Sequence, residues 1–222
     1  LVKTFTLHNL GGVSVNGFSN VSFTLKCGEL LALSGPSGAG KSSILKTIFR
    51  TYLPDSGNAL FCRGDDSTVN LATCTESQVL DLRRREVGFV TQFLKILPRI
   101  SALDGVASPL IEIGVEMDDA REQARTMLTR LGIREELFHL SPLTFSGGEQ
   151  QRVNIARGII APKELILLDE PTASLDQKSS DVILELLEDL KRRSIALIAI
   201  FHDQRKIEQV ADRALEIRRA DQ

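Results

Sequence analysis

Gly35-Pro36-Ser37-Gly38-Ala39-Gly40-Lys41-Ser42-Ser43 follows an apolar run at Leu30 to Leu33. It leads straight into Ile44, Leu45, Ile48, Phe49 and Tyr52, an apolar stripe at helical spacing. A glycine-rich turn ending in Lys-Ser, set between a buried strand and a helix, is the P-loop that cradles phosphates. Its glycines let backbone N–H groups turn inward, and the helix N-terminus adds its positive end. In that arrangement Lys41 reaches the β- and γ-phosphates and the Ser42 hydroxyl ligates Mg²⁺. The run before it lacks alternation, as a strand of a parallel sheet buried on both faces does.

Val87 to Val90, Leu165 to Leu168 and Ile195 to Phe201 are further apolar runs of that kind. Val182, Ile183, Leu186, Leu187 and Leu190 form a second helical stripe. A third, Ala120, Ala124, Met127, Leu128 and Leu131, opens after Asp118-Asp119 and stops at Gly132. It falls in a mainly helical insertion over roughly residues 93–155. From Val2 to Cys27, Val21, Phe23 and Leu25 alternate, while Gly11-Gly12, Asn16-Gly17 and Cys27-Gly28 supply turns. That pattern predicts antiparallel strands. The expectation is one α/β domain over residues 1–222, with two appendages to a mostly parallel sheet.

Ligands of open parallel sheets bind at the carboxyl ends of the strands. Leu165 to Leu168 ends there in Asp169-Glu170. Asp169 would hold Mg²⁺, directly or through water, and Glu170 would polarise the attacking water; the competing reading is a helix cap. Val87 to Val90 leads to Gln92, whose amide would ligate the metal or orient water, and Ile195 to Phe201 leads to His202. Singly, Gln92 and His202 are ordinary surface residues. Their convergence with Ser42 and Asp169 on one sheet edge makes them candidates. Ser146-Gly147-Gly148-Glu149-Gln150 forms a second glycine turn at a helix start, either an N-cap or another anion cradle. One nucleotide needs only one cradle, so the second suggests the nucleotide of another subunit.

Composition removes other classes. With 27 Lys and Arg against 29 Asp and Glu, the net charge of -2 argues against capture of nucleic acid by an overall field. Arg83-Arg84-Arg85 and Lys191-Arg192-Arg193 read as helix ends or solvated faces. No apolar run approaches the roughly 18 residues of a membrane span, so no direct membrane insertion is expected. The first residues lack the pattern of a secretory signal, which makes the expected location cytoplasmic. Cys27, Cys62 and Cys74 pair with neither zinc-site nor disulfide spacing and read as reduced, partly buried thiols.

Together these motifs resemble the ATP-binding-cassette ATPases across essentially the whole chain. In that pattern Gly35 to Ser43 matches Walker A, Gln92 the Q-loop, and Ser146 to Gln150 the signature. Leu165 to Glu170 matches Walker B, Ser174-Leu175-Asp176 the D-loop, and His202 the switch histidine. The resemblance implies ATP and Mg²⁺ as cofactors, Glu170, His202 and Lys41 as catalytic groups, and a head-to-tail dimer with itself or a related cassette subunit. Phe5 resembles the aromatic that stacks on adenine, or is a strand core residue. Glu149 stands where Gln is commoner. The stretches Thr51 to Asp55, Gln92 to Leu103, Phe145 to Gly158 and Ile200 to Asp203 are similar to the PhnL-type cassettes of the carbon-phosphorus lyase system, which degrades phosphonates. That similarity implies soluble lyase core subunits as partners and an assignment to the ribosyl-triphosphate phosphonate synthase step, whose displacement chemistry has no site in this sequence. Two rivals stand beside it: the motor of a membrane transporter, docked through residues 93–110, and an assembly protein that ATP locks together with incidental hydrolysis.

Overall fold

The computed structural model describes residues 1–7, 13–65, 67–94 and 99–219. Gly11-Gly12 and Lys95 to Pro98, both used above, lie outside the described residues. In chain order the elements begin with β1 (Lys3–Leu7), β2 (Val13–Phe18), β3 (Leu30–Ser34) and α1 (Lys41–Ile48). They continue with β4 (Leu60–Cys62), β5 (Thr68–Asn70), α2 (Glu76–Arg85), β6 (Val87–Val90), α3 (Ala102–Glu112) and α4 (Met117–Arg130). Then come α5 (Gly147–Ile159), β7 (Leu165–Asp169), α6 (Gln177–Arg192), β8 (Ala196–Ile200), α7 (Gln204–Val210) and β9 (Arg213–Glu216). Short 3-10 turns at Glu135–Leu137 and Pro142–Thr144 lead into α5.

A five-stranded sheet of order β6-β7-β8-β3-β9 forms the centre, and every pairing in it is parallel. Period-2 geometry sends Leu30 and Ala32, Ile166 and Leu168, and Leu197 and Ala199 into one apolar layer. Their neighbours Leu31 and Leu33, Leu165 and Leu167, and Ile198 and Ile200 enter the other. Helices α3, α4, α5 and α6 contribute to the first layer and α1 to the second. Each fully buried Leu or Ile removes enough apolar surface from water to contribute roughly 1.5–3 kcal/mol, so the strands need both helical layers. All four apolar runs named from sequence are strands of this sheet. Helices α2 and α6 end at the two basic triplets, as expected.

Three expectations are corrected. Val21, Phe23 and Leu25 belong to no strand: Val21 exchanges hydrogen bonds with the main chain of Leu1, and Phe23 and Leu25 pack partly buried against the core from outside any strand. Alternation marks a half-buried extended segment and does not supply its ladder partner. Asn16-Gly17 is no turn but the interior of β2, which pairs antiparallel with β1. Gly17 is there because a Cβ would stand 2.5 Å from the Phe5 ring. Of the thiols only Cys74 is buried, and Cys27 and Cys62 are exposed. Strand β9 escaped the sequence reading because Arg213-Ala214-Leu215-Glu216 carries two charges in four residues and sits at the sheet edge beside β3.

Candidate nucleotide-binding site

Backbone strain builds the phosphate loop. Gly35, Gly38 and Gly40 have φ of 127°, 77° and 92°, values that side chains disfavour. Gly40 is the N-cap of α1, and a Cβ there would lie 1.8 Å from the Gly17 carbonyl oxygen. A Cβ on Gly35 would lie 2.2 Å from that of Ile217. The loop is thus clasped between β2 and the segment after β9, and Arg219 Nη2 donates to the Ser37 carbonyl at 3.0 Å. Ala39 anchors it in the core. Lys41 is 6% exposed, and its Nζ donates to the carbonyls of Gly35 at 2.8 Å and Pro36 at 2.9 Å. Burial pulls its pKa down while Glu170 and Asp169 pull it up.

The strand ends converge as the sequence implied. Ser42 Oγ donates to Asp169 Oδ1 at 3.0 Å. Asp169 is 4% exposed, and burial raises its pKa although the Ser42 hydrogen bond opposes the shift. A hydroxyl beside a buried carboxylate is an oxygen donor set suited to Mg²⁺, which takes one or two protein ligands and completes its shell with phosphate and water. Among the described residues no cluster of three His, Cys, Asp or Glu side chains makes an all-protein metal site. Gln92 engages the neighbouring carboxylate: its Nε2 donates to Glu170 Oε2 at 3.2 Å. His202 Nε2 lies 2.6 Å from the other oxygen, Oε1. Glu170 is therefore held at both oxygens, and its φ of 55° is strained for a residue with a side chain.

Phe5, Asn16 and Gly17 on one side, Ser37, Gly38 and Gly40 to Ser43 below, and Glu170 and His202 at the end line a cavity of about 280 Å³. The Phe5 ring meets Tyr52 edge-on, with centroids 5.0 Å apart. Ser146, Gly147, Gly148 and Glu149 stand outside that cavity. Ser146 is the N-cap of α5 in a capping box: Glu149 N donates to Ser146 Oγ at 3.4 Å, and Ser146 N donates to Glu149 Oε2 at 3.0 Å. The Ser146 hydroxyl and N–H hold the Glu149 pKa down. Ser174 and Leu175 pack beside the signature, where a Cβ on Gly148 would be 3.3 Å from the Ser174 carbonyl. Asp176 caps α6 by accepting from Ser179 N at 2.7 Å.

Sequence reasoning missed Gln151 and Asn154, which bind the carbonyls at the ends of β7 and β6. Their signal was a pair of polar side chains on the buried face of an amphipathic helix.

The ABC transporter family model matches residues 18–173. The chain belongs to that family. A lipoprotein-releasing system ATP-binding protein, LolD of Legionella pneumophila, is 36% identical to this cassette over 214 residues, covering 96% of this chain and 91% of LolD. The macrolide export ATP-binding/permease protein MacB of Hyphomonas neptunium is 36% identical over 208 residues, covering 94% of this chain and 31% of MacB. Among solved structures, a dimeric ATP-binding cassette in a post-hydrolysis state with ADP and Pi superposes with a TM-score of 0.89 at 28% identity, covering 98% of this cassette and 92% of that chain. The fold is accordingly the α/β cassette: a parallel core sheet, antiparallel strand pairs and a helical subdomain. Among the described residues no helix is long and apolar enough to cross a membrane.

Proposed function

We propose that this cassette binds ATP with Mg²⁺ and hydrolyses it as a head-to-tail pair, acting as the motor subunit of a membrane transporter. The observation that carries the ATPase reading is the Glu170 carboxylate, held between Gln92 and His202 at the mouth of the phosphate loop. A carboxylate has about four lone-pair sites, so two contacts leave room for an attacking water. Glu170 polarises that water and His202 keeps the carboxylate aimed, while Lys41 meets charge growing on the γ-phosphoryl oxygens. Phe5 and Asn16 flank the space for the base. Bound Mg²⁺, for which Ser42 and Asp169 are the fitting ligands, would neutralise phosphate charge. Ser146 to Gly148 lie outside the cavity on an uncovered helix start, and this supports their use on the nucleotide of a second cassette. Glu170→Gln should retain ATP binding and lose about 10²–10⁴-fold in turnover; turnover at the wild-type rate removes Glu170 from this role.

The LolD and MacB relatives support a permease partner over the phosphonate machinery. A second reading, a subunit of the carbon-phosphorus lyase system, is favoured by the run Gln92 to Leu103 and by Ile200 to Asp203, which are similar to the PhnL-type cassettes. Affinity purification separates them. Recovery with detergent-extracted membrane proteins supports the transporter; recovery with soluble lyase subunits from a membrane-free extract overturns it.

A further inference from the structure

Helix α5 buries two primary amides that the mechanism above does not use. Gln151 and Asn154 are 5% and 6% exposed and lie three residues apart, on one face of the helix. Val153, Ile155, Ala156 and Ile159 of the same helix are buried with them, and a buried amide without partners is costly. Both amides are directed at main-chain carbonyls where strands leave the sheet. Gln151 Nε2 donates to the carbonyls of Glu170 and Pro171, each at 3.3 Å. Asn154 Nδ2 donates to the Thr91 carbonyl at 2.5 Å. Thr91 precedes Gln92, whose own amide grips the Glu170 carboxylate. The two contacts therefore converge on one residue, Gln151 through its main chain and Asn154 through Gln92.

We propose that Gln151 and Asn154 are positioning residues for hydrolysis, fixing the strained Glu170 main chain and the Gln92 amide so that the carboxylate faces the attacking water. The assignment rests on the ATPase reading. Neither residue touches the nucleotide cavity, so their loss acts on turnover and not on ATP binding. Because Ser146 caps α5 and Gly147 opens it, a tilt of this helix moves the signature together with both Glu170 and Gln92. The same rigid body thus joins the signature to the water-activating carboxylate of its own chain.

The test compares wild type, Glu170→Gln, Gln151→Met, Asn154→Leu and Gln151→Glu in the intact cassette, measuring kcat, KM, the Kd for ATP and Tm. Displacing a reacting group by about an ångström costs on the order of a hundredfold in rate. The expected result for Gln151→Met and Asn154→Leu is accordingly a kcat loss of about tenfold to a hundredfold, with the Kd for ATP within about twofold of wild type. Gln151→Glu supplies a second readout, taken at each pH well below the Tm of the variant so that pH-linked unfolding does not enter. A carboxylate there repels both carbonyls, whereas its protonated form donates its one O–H to one of them, and burial raises its pKa. Its kcat relative to wild type should therefore rise as pH falls from about 8 to about 6. Wild-type kcat in Gln151→Met, a kcat loss matched by an equal loss of ATP affinity, or a flat Gln151→Glu ratio overturns the proposal. A wild-type chain that hydrolyses ATP beside an inactive Glu170→Gln leaves the ATPase reading intact whichever way the Gln151 variants behave.

Discussion

Two glycines of the phosphate loop differ only in what surrounds them, and that difference predicts different stabilities. Gly38 and Gly40 have φ of 77° and 92°. An alanine at either must adopt the left-handed region, which costs roughly 1–2 kcal/mol. At Gly38 nothing lies within 4 Å of the added Cβ, so the backbone term is the whole cost. At Gly40 the Cβ would sit 1.8 Å from the Gly17 carbonyl oxygen and 3.2 Å from the Phe18 Cβ. The carbonyl belongs to a paired strand and the loop is clasped from its other side by Ile217, so neither retreats freely. Overpacking of this kind adds roughly 1–3 kcal/mol. In a domain of this size 1 kcal/mol is about 2–4 °C in Tm. Gly40→Ala should then melt about 2–12 °C below Gly38→Ala in the absence of nucleotide. Calorimetry or urea melts of both variants without ATP make the comparison. Equal melting temperatures would refute the reasoning, because they would mean that the β2 contact imposes no constraint on the loop.

Three further predictions concern charge and assembly. Asp104 is held below the usual carboxylate range chiefly by the Ser101 hydroxyl, then by Arg121, with burial opposing. A depressed folded pKa stabilises above the unfolded value near 3.9 and loses that contribution as pH falls through the folded value. Asp104→Asn should therefore melt lower than wild type at neutral pH, and the gap should close under acid; a gap independent of pH sinks the assignment. Ser146→Ala removes the α5 cap, worth about 1 kcal/mol, and should cost turnover well beyond that loss. If cleavage needs two cassettes, specific activity also falls on dilution, and activity unchanged at any concentration removes the second cassette from the mechanism.

Strands β3, β6, β7 and β8 were legible because burial on both faces leaves uninterrupted apolar runs, and Gly35 to Ser43 because its chemistry permits few substitutes. Asp169, Glu170 and His202 followed from their place at strand ends. What sequence did not reveal depends on partners distant along the chain. The β2 extent rests on Phe5 filling the place of a Gly17 side chain, β9 on an edge position beside β3, and Gln151 and Asn154 on which carbonyls face α5. The contact of Gln92 with Glu170 is likewise a matter of side-chain direction that spacing leaves open.

Strand β3, which delivers the phosphate loop, is flanked by β8 and β9. A nascent chain leaving the ribosome therefore exposes Leu30 to Ser34 long before either neighbour has been synthesised. Pairings so distant along the chain form slowly, and an unmatched apolar strand invites association with other chains. Translation must run past Glu216 before the loop acquires both walls. Until then at least one edge of that strand stays unpaired, and the phosphate loop lacks the wall that Ile217 and Arg219 supply.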